Sequence, residues 1–514
     1  MCELLSCIVE FELLNCNCGI SVKHLTHDSR EVRPGSLFFA LRGGKADGAK
    51  FIKQAIRRGA VAVVLEKSSF KRGILPRLFS KKIPQVFVND AREVMSLVAK
   101  AFYDNVVDKL NVIGITGTNG KTTTAHIIGH ILSQIKGNKV GIIGTLGAKI
   151  LSADGGIKEL VSELTTPNPI ILHGLFKVMY EEGVRFVVME CSAHAIFLKK
   201  LCGINFRVGV FTNLSQDHLD FFKDYKTYAN VKVNWFGASM DAVVTNIDDI
   251  EGQRIFNNVK SGVISYKLAD VTNLELCSSG SKFIFGGVEY NMPLAGKFNV
   301  YNALASINVV KKLGFEDREI SKALGTLESV PGRFNTVEIF GISVIIDYAH
   351  TPDSLEKILV TCRELLQGEK SGRLVSVFGC GGERDTGKRE QMGIISGRLA
   401  DYTVITSDNP RGESPRVIML QIEAGCKVSV VQTQECCKKE LCENLGKRYT
   451  MIEDRKEAIY HALDFAESGD IVVIAGKGAE DYIEIDGEKL PFSDMTVVED
   501  YRNLKQKSVR KNLA

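Results

Sequence analysis

The chain lacks several things that would have settled its class at once. No uncharged apolar run in its 514 residues is long enough to cross a bilayer, so no membrane span is expected. It lacks a dominant charge. Its 65 Lys+Arg against 61 Asp+Glu leave a formal +4, spread along the chain, too weak to imply nucleic acid or a membrane surface. It has no short repeat and no low-complexity linker. It also lacks a disulfide framework. Thirteen cysteines is an odd number without regular spacing, and reduced thiols in a cytoplasm fit it best. Cys16 with Cys18, and Cys436 with Cys437 and Cys442, do not have the spacing of a zinc site and are expected to be free thiols. The opening MCELLSCIVEFELLNCNC carries early acids and no basic region before its apolar part, so it is not expected to be a secretory signal. Lys505, Lys507, Arg510 and Lys511 read as a solvated basic end.

What is present is ordinary globular composition, 45% apolar and 25% charged, at a length that suggests about three domains. Three blocks separate by pattern: 1–108, 109–335 and 336–514. The first has strand candidates VKHLT, SLFFALR, AVAVVLE and QVFV, with helical stretches near 49–58 and 90–102. The second has VGIIG, FVVMEC, VGVFTNL and AVVTNI. The third has ISVIID, RLVSVFG, YTVIT and DIVVIAG, with helices at 388–400 and 456–467. Strands alternating with helices predict an α/β fold with parallel, doubly wound sheets. Ligands then sit beyond the carboxyl ends of the strands. Those ends carry the polar signals TGTNGKT, ECSAH, NLSQDH, DYAH, GCGGERD, SDNPRG and AGKG.

The first of these signals is the most informative. After the strand ending at Ile115, Gly117 and Gly120 bracket a tight turn through Thr118 and Asn119. Glycine lets backbone N–H groups approach anionic oxygens. Lys121 supplies a cation for outer phosphates, and Thr122 a hydroxyl for Mg²⁺, with Thr123 beside it. Ile128, Ile131, Leu132 and Ile135 then mark one face of a helix. The turn is shorter than the full G-x4-GK[ST] pattern, and an ordinary strand–helix turn is the plainer alternative. The combination of Gly, Lys and Thr favours a nucleotide phosphate.

Glu190 ends the apolar run FVVM, and His218 follows VGVFTNLSQD. A carboxylate and an imidazole at neighbouring strand ends can hold Mg²⁺ together with ATP oxygens. Each alone reads as a polar loop residue; with a phosphate loop in the same block they become ligand candidates. Lys232, in YANVKVNWF, reads on sequence alone as a solvated helix lysine. A lysine desolvated near positive charge can instead lose its proton and take up CO₂ as a carbamate.

The quoted segments, in their order, resemble the Mur ligase family of peptidoglycan synthesis: GTNGKTTT, MECSAHA, FTNLSQDHLDF, YANVK, GKFNVYNALAS, PGRF, DYAHTPDSL, GCGGERDTGKR, DNPR and AGKGAE. The resemblance implies an N-terminal UDP-sugar-binding domain (1–108), a central ATP-binding domain (109–335) and a C-terminal Rossmann-like, amino-acid-binding domain (336–514). It implies an ATP-dependent acid–amino-acid ligase acting through an acyl phosphate. The implied substrates are ATP, UDP-N-acetylmuramoyl-L-alanyl-D-glutamate and meso-2,6-diaminopimelate, used with Mg²⁺ by a cytoplasmic monomer. Residues Gly117 to Thr123 match the family's ATP-phosphate loop, and Thr122, Glu190 and His218 its metal ligands. Lys232 matches the family's carbamylated lysine; Lys121, Lys232 and His218 are the implied catalytic groups. Asn299 and Asn302 match positions near adenine, and Arg333, Asp347 and His350 match ATP contacts at a domain junction. Ser29, Thr165, Thr166, Ser192 and Lys200 fall to the UDP-sugar substrate. Arg384, Asp408, Asn409, Pro410, Arg411, Gly476 and Glu480 fall to the incoming amino acid.

The chemistry suits these residues. A free carboxylate is a poor electrophile until ATP converts it to an acyl phosphate. That step brings two anions together, which Lys121 and Mg²⁺ must offset. Diaminopimelate differs from lysine by a second carboxylate, which a guanidinium such as Arg411 can take by two parallel hydrogen bonds, with Glu480 for the far ammonium. The chain departs from the common family pattern at Lys45, Ala193, Leu198, Lys200, Phe222 and Ala479. Lysine at 200 keeps charge but loses the planar fork of arginine. Two other readings stand beside the first. One is a lysine-adding or folylpolyglutamate-synthetase-like ligase, against which DNPR and the HDSR block argue. The other is a nucleotide-binding scaffold without turnover, which the departures near Leu198 and Lys200 would suit.

Overall fold

The computed structural model describes the chain except residues 16–18, 44–46, 69–82, 136, 163, 238–239, 278, 369–371, 437–448 and 513–514, and without the side chains of 2, 367–368, 430–436 and 508–512. Cys16, Cys18, Lys45, Cys437 and Cys442 therefore lie outside the described residues, as do the side chains of Cys436, Arg510 and Lys511. Cys7, Cys191, Cys202, Cys277, Cys362, Cys380 and Cys426 are free thiols. Among the described residues no helix is long and apolar enough to cross a membrane.

Three α/β sheets follow one another along the chain. The first has five strands in the order Phe11–Leu14, Gln85–Val88, Ala60–Glu66, Ser36–Phe39, His24–Thr26, parallel except for the first. The second has eight, running Val263–Tyr266, Val243–Asn246, Phe206–Phe211, Asn111–Thr116, Phe186–Glu190, Val140–Gly144, Gly147–Leu151, Ile157–Leu160. Its first six strands are parallel and its last two antiparallel. The third sheet runs Asn335–Ile339, Ile342–Asp347, Ile471–Ala475, Leu374–Phe378, Tyr402–Ile405, Tyr449–Met451, again parallel except for its first strand. The apolar runs form parallel strands because helices cover both sheet faces; Val112, Ile113 and Ile115 are wholly buried.

One unit was not foreseen. Strands Val271–Cys277, Gly280–Phe285 and Val288–Met292 form a small antiparallel meander, where strand–helix alternation alone had been expected. Only one face of it is covered, so its outer strand reads half-exposed and its sequence is polar. Phe283, Tyr290 and Met292 on the covered face join the core made by the helices Lys121–Gln134 and Lys297–Lys312.

The helix Lys121–Gln134 shows why the site sits where it does. Ile127, Ile128, Ile131 and Leu132 are fully buried, each contributing about 1.5–3 kcal/mol. That burial fixes the helix against the sheet with its N-terminus at the carboxyl end of the central strand Asn111–Thr116. Gly120 precedes it in the left-handed conformation without a side-chain cap, so the first-turn N–H groups are unclaimed by a capping side chain.

Candidate functional site

The carboxyl ends of the second sheet open into a cleft of about 690 Å³. Of the sequence candidates, Gly117 to Thr123, Thr165, Glu190, Ser192, His218 and Lys232 line it from the second sheet's side. Asn299 and Asn302 line it from the helix Lys297–Lys312, and Arg333, Asp347 and His350 from the start of the third sheet.

The turn at 117–120 is shaped by its neighbours. A Cβ on Gly117 would lie 1.9 Å from Thr212 Oγ1, and one on Gly120, at φ +84°, would lie 2.4 Å from Asn302 Oδ1. Neither position admits a side chain. The backbone is thereby free to close around an anion at a helix N-terminus. The Lys121 ammonium donates to Gly117 O (3.0 Å) and Thr118 O (2.8 Å), folded across the mouth of the turn. Burial lowers its pKa below the usual lysine value, with Glu190 and Asp217 opposing the shift.

Thr122 opens the helix and donates to Glu190 Oε1 at 2.9 Å. Glu190 also accepts from Thr145 N (2.8 Å) and Thr145 Oγ1 (3.1 Å), so its buried carboxylate is fixed in direction. Arg333 Nη2 donates to Thr122 Oγ1 at 2.9 Å, bringing the segment that leads into the third sheet onto the same hydroxyl. Among the described residues no group of three or more His, Cys, Asp or Glu forms a ready metal cage. A hydroxyl, one carboxylate and an imidazole around a phosphate cradle nevertheless suit Mg²⁺, a hard cation that takes few protein ligands and keeps phosphate and water oxygens. The turn that no Cβ could enter is the observation that makes this fit.

Lys232 is not a solvated helix lysine. Only 1% of it is exposed, and its amine donates to Tyr228 OH at 2.5 Å. Tyr228 OH is in turn 3.1 Å from Thr118 Oγ1, which links the lysine to the phosphate turn. Burial, and then the Lys121 charge, push the Lys232 pKa well below its ordinary value. His218 stands at a left-handed position (φ 55°). Its ring packs against His194 at 4.8 Å and its Nε2 is 3.3 Å from Asp217. Burial holds its imidazole neutral, against the pull of Asp217. Asn302 Oδ1 accepts from Thr124 Oγ1 (3.3 Å), while the Asn302 amide donates to Asn299 Oδ1 (3.1 Å) and Asn299 to Ala295 O (2.8 Å). Asp347 accepts from Phe334 N at 2.7 Å, and burial raises its pKa. His350 Nδ1 is 2.8 Å from Tyr348 O, and burial lowers its pKa.

Two further clusters flank the cleft. In one, Thr166 Oγ1 donates to Glu190 O (2.8 Å) and accepts from Ser192 N (3.1 Å), and Lys200 Nζ donates to Thr166 O (3.0 Å). Ser29 is in the first unit, buried, its hydroxyl on Gln54 Oε1 at 3.0 Å. In the other, Asn409 donates to Glu480 Oε2 (2.9 Å), and fully buried Lys477 donates to Asn409 Oδ1 and Glu480 Oε2, both at 3.0 Å. Arg411, at φ 53°, donates from Nε to Glu484 Oε2 (3.1 Å) and from Nη1 to Gly382 O (2.8 Å), with its outer Nη2 edge uncommitted among the described residues. Asp408 lies 3.8 Å from Lys477 Nζ, and a Cβ on Gly476 would meet it at 2.6 Å. Pro410 carries the turn, its carbonyl accepting from Glu413 N at 3.0 Å. Arg384 is exposed beside this cluster, its stem near Gly381. Tyr348 joins the two regions: Arg333 lies 4.5 Å over its ring, and its N–H donates to Gly332 O (3.0 Å), against which Gly478 packs.

Sequence reasoning passed over four residues. Tyr228 was readable as the i−4 neighbour of Lys232, and Asp217 as the neighbour of His218. Lys477 sits inside the quoted AGKG. Arg455 leaves no sequence signal, because its partners are 20, 39 and 48 residues away.

A glycine turn with the shape of an anion cradle at the head of a central parallel sheet, closed over by a second α/β sheet, suits a nucleotide-dependent transferase or ligase of multi-sheet design. The chain belongs to the Mur ligase family: residues 21–103 match "Mur ligase family, catalytic domain", 115–310 "Mur ligase middle domain" and 332–478 "Mur ligase, glutamate ligase domain". It is an ATP-dependent ligase with the three-part α/β architecture of that family. It is 38% identical over 510 residues to UDP-N-acetylmuramoyl-L-alanyl-D-glutamate--2,6-diaminopimelate ligase 1 of Clostridium acetobutylicum, covering 96% of this chain and 97% of that protein. It is 40% identical over 488 residues to the Aquifex aeolicus protein named as UDP-N-acetylmuramoyl-L-alanyl-D-glutamate--2,6-diaminopimelate ligase, covering 93% of each. A solved structure of a ligase of that name superposes with a TM-score of 0.62 at 30% identity, covering 94% of this chain and 95% of that one. MurF from Acinetobacter baumannii, at 18% identity and a TM-score of 0.59, shares the fold.

Proposed function

We propose that this chain joins meso-2,6-diaminopimelate to UDP-N-acetylmuramoyl-L-alanyl-D-glutamate, converting ATP to ADP and phosphate, in the making of a peptidoglycan precursor. One observation carries the reading: Lys121, the Thr122–Glu190 pair, Lys232 and Arg333 converge on one cleft, and Tyr348 joins that cleft to the Asn409–Glu480–Arg411 cluster. The full-length likeness to ligases of that name supports the choice of substrates.

The turn at 117–123 holds the phosphates of ATP, with Lys121 swung from its own loop carbonyls onto the outer ones. Thr122, Glu190 and His218 would hold Mg²⁺, which supplies charge neutralisation between phosphate oxygens and the approaching carboxylate. Arg333 adds a fixed positive charge on the far side. A carboxylate oxygen of the UDP-linked dipeptide attacks the terminal phosphorus, ADP leaves, and an acyl phosphate remains. The amine of diaminopimelate then attacks the acyl carbon, and inorganic phosphate departs as the amide forms. Positioning of the two partners supplies much of the acceleration.

Lys232 enters as a carbamate: its neutral amine adds to CO₂ and a proton is released, giving an anion beside the turn. Its burial beside Lys121 supports this, because both effects remove the proton that blocks the addition. Asn299, Asn302, Asp347 and His350 border the nucleotide. Ser29, Thr165, Thr166, Ser192 and Lys200 serve the UDP-sugar. Arg411 and Arg384 take carboxylates of the incoming amino acid, and Glu480 its distal ammonium, with Asp408, Asn409, Pro410 and Gly476 shaping the loop. Lysine as substrate offers no carboxylate to the Nη2 edge of Arg411. The enzyme works as a monomer on this reading, and the nucleotide-linked substrates fit a cytoplasmic enzyme.

The test is phosphate release in the presence of ATP, Mg²⁺, bicarbonate, UDP-N-acetylmuramoyl-L-alanyl-D-glutamate and single amino acids. Release that depends on meso-diaminopimelate is the expected result. Release driven by L-lysine alone overturns the substrate assignment, and nucleotide binding without release under any amino acid points to a scaffold.

A further inference from the structure

The two loops assigned to the incoming amino acid leave strands that do not touch. Tyr402–Ile405 and Ile471–Ala475 are separated in the sheet by Leu374–Phe378, so no ladder hydrogen bond fixes the 406–411 loop relative to the 476–480 loop. The side chains of Asn409, Glu480 and Lys477 meet across the gap, and beneath them a buried arginine holds a backbone carbonyl at the base of each loop. Arg455, at the start of the helix Arg455–Phe465, donates from Nη1 to Ser407 O (3.2 Å) and from Nη2 to Ala475 O (3.0 Å). These are the carbonyls immediately before Asp408 and Gly476. Its remaining edge is held by Asp494 through two bonds, Nε to Oδ1 at 2.7 Å and Nη2 to Oδ2 at 2.8 Å. Asp494 begins the last helix, Asp494–Asn512, where a carboxylate also meets the positive end of the helix dipole. Both side chains have no exposure at all.

A buried ion pair of this kind is a poor choice for stability alone, since apolar residues of the same volume often do as well. What an apolar pair cannot do is hold two carbonyls on separate strands at once. Lysine cannot do it either, because it has no planar fork to reach both carbonyls and a carboxylate. Above this bridge lies Lys477, fully buried, which ties Asn409 to Glu480.

We propose that Arg455, oriented by Asp494, is a positioning residue that locks the 406–411 and 476–480 loops into one register and so sets recognition of the incoming amino acid. The inference deepens the proposed function and rests on its assignment of these loops to the amino-acid substrate. It separates this role from the nucleotide cleft, because Arg455 makes no bond to a residue of the phosphate turn.

The test uses the full chain and two variants, Arg455→Lys and Asp494→Asn, the second sparing the core volume should the first fold poorly. Amide hydrogen exchange is measured first, without substrates. Exchange faster by about tenfold or more is expected at 407–411 and 476–480, with 117–124 unchanged. Exchange that is unchanged at these loops, or raised evenly across the chain, overturns the proposal. Steady-state kinetics follow with the amino acid that wild type uses. KM for that amino acid is expected to rise about 10- to 100-fold, while KM for ATP holds within about twofold. Equal rises in both constants overturn the proposal. Wild type that ligates no amino acid refutes the proposed function, while the exchange pattern still decides whether Arg455 locks the loops.

Discussion

At the scale of single residues, the site turns on two lysines held away from water. Lys121 is the cation we assign to the ATP phosphates, and its ammonium already lies within 3.0 Å of two loop carbonyls. Lys121→Ala is expected to lower turnover by about 10²–10³-fold, as for loss of one preorganised charge, with little change in melting temperature. Near-normal rates would remove it from the mechanism. Lys232 makes a sharper case, because it works against the fold. In the folded chain burial lets its amine shed its proton well below the ordinary value, whereas unfolded it keeps that proton to about pH 10.4. Between those limits the unfolded state binds one proton more, so stability falls as pH falls through that window. Lys232→Met removes the penalty. In buffer free of Mg²⁺ and CO₂, the variant is expected to melt higher than wild type at pH 7, the gap narrowing as pH approaches 10. It is also expected to be inactive. A variant that melts lower than wild type at every pH would show that the lysine is not buried as a neutral amine.

At the scale of elements, the phosphate turn and the helix behind it behave as one unit. Gly120→Ala places a Cβ 2.4 Å from Asn302 Oδ1 at a backbone angle of +84°. The left-handed conformation alone costs roughly 1–2 kcal/mol, and the clash adds to it. Nucleotide affinity is expected to fall, measured by titration with a fluorescent ATP analogue. Adding Asn302→Ala relieves the clash but not the backbone strain, so the double variant recovers only part of the loss. Full recovery would mean that the angle carries no cost. The same element also shows what was legible in sequence. The turn, its lysine and the apolar face from Ile128 to Ile135 could all be read because their partners lie within a few residues. The parallel strands could be read because burial on both faces makes them near-continuous apolar runs, as in VVME and IVVIA. The edge strands Ile157–Leu160 and Val271–Cys277 could not: each is half-solvated, and neither IKEL nor VTNLELC carries a strand's apolar signature. The buried state of Lys232 was hidden for a related reason: Tyr228 is its helical neighbour, but Lys121 and Asp217 come beside it only in three dimensions.

At the scale of the whole molecule, polar and apolar contacts together join the sheets, with Phe298 against the third unit's core and Ile170 against the first's. Asn119 in the phosphate turn donates to Asp353 Oδ2 at 2.7 Å, and Arg333 reaches Thr122 at 2.9 Å, so the second and third sheets close over the cleft from opposite sides. On the other flank, Ser96 donates to Lys199 O (2.7 Å) and Lys100 to Gly203 O (2.9 Å), fastening the first unit to the second. A ligand that touches two sheets should strengthen their closure. A non-hydrolysable ATP analogue with Mg²⁺ contacts groups from both sheets, so it binds the closed arrangement better than either sheet alone. At about 100 times its dissociation constant it stabilises that arrangement by about 2.7 kcal/mol. Calorimetry is expected to show the transitions of the second and third sheets moving up together and merging, with the first unit's transition moving least. Asp353→Ala removes one latch, taking the Asn119 side-chain partner but leaving the backbone of the turn and Lys121 in place. In that variant the analogue should still raise the second sheet's transition while the third lags behind it. If the two transitions keep moving as one in Asp353→Ala, the latch is dispensable and closure rests on Arg333 and the nucleotide alone.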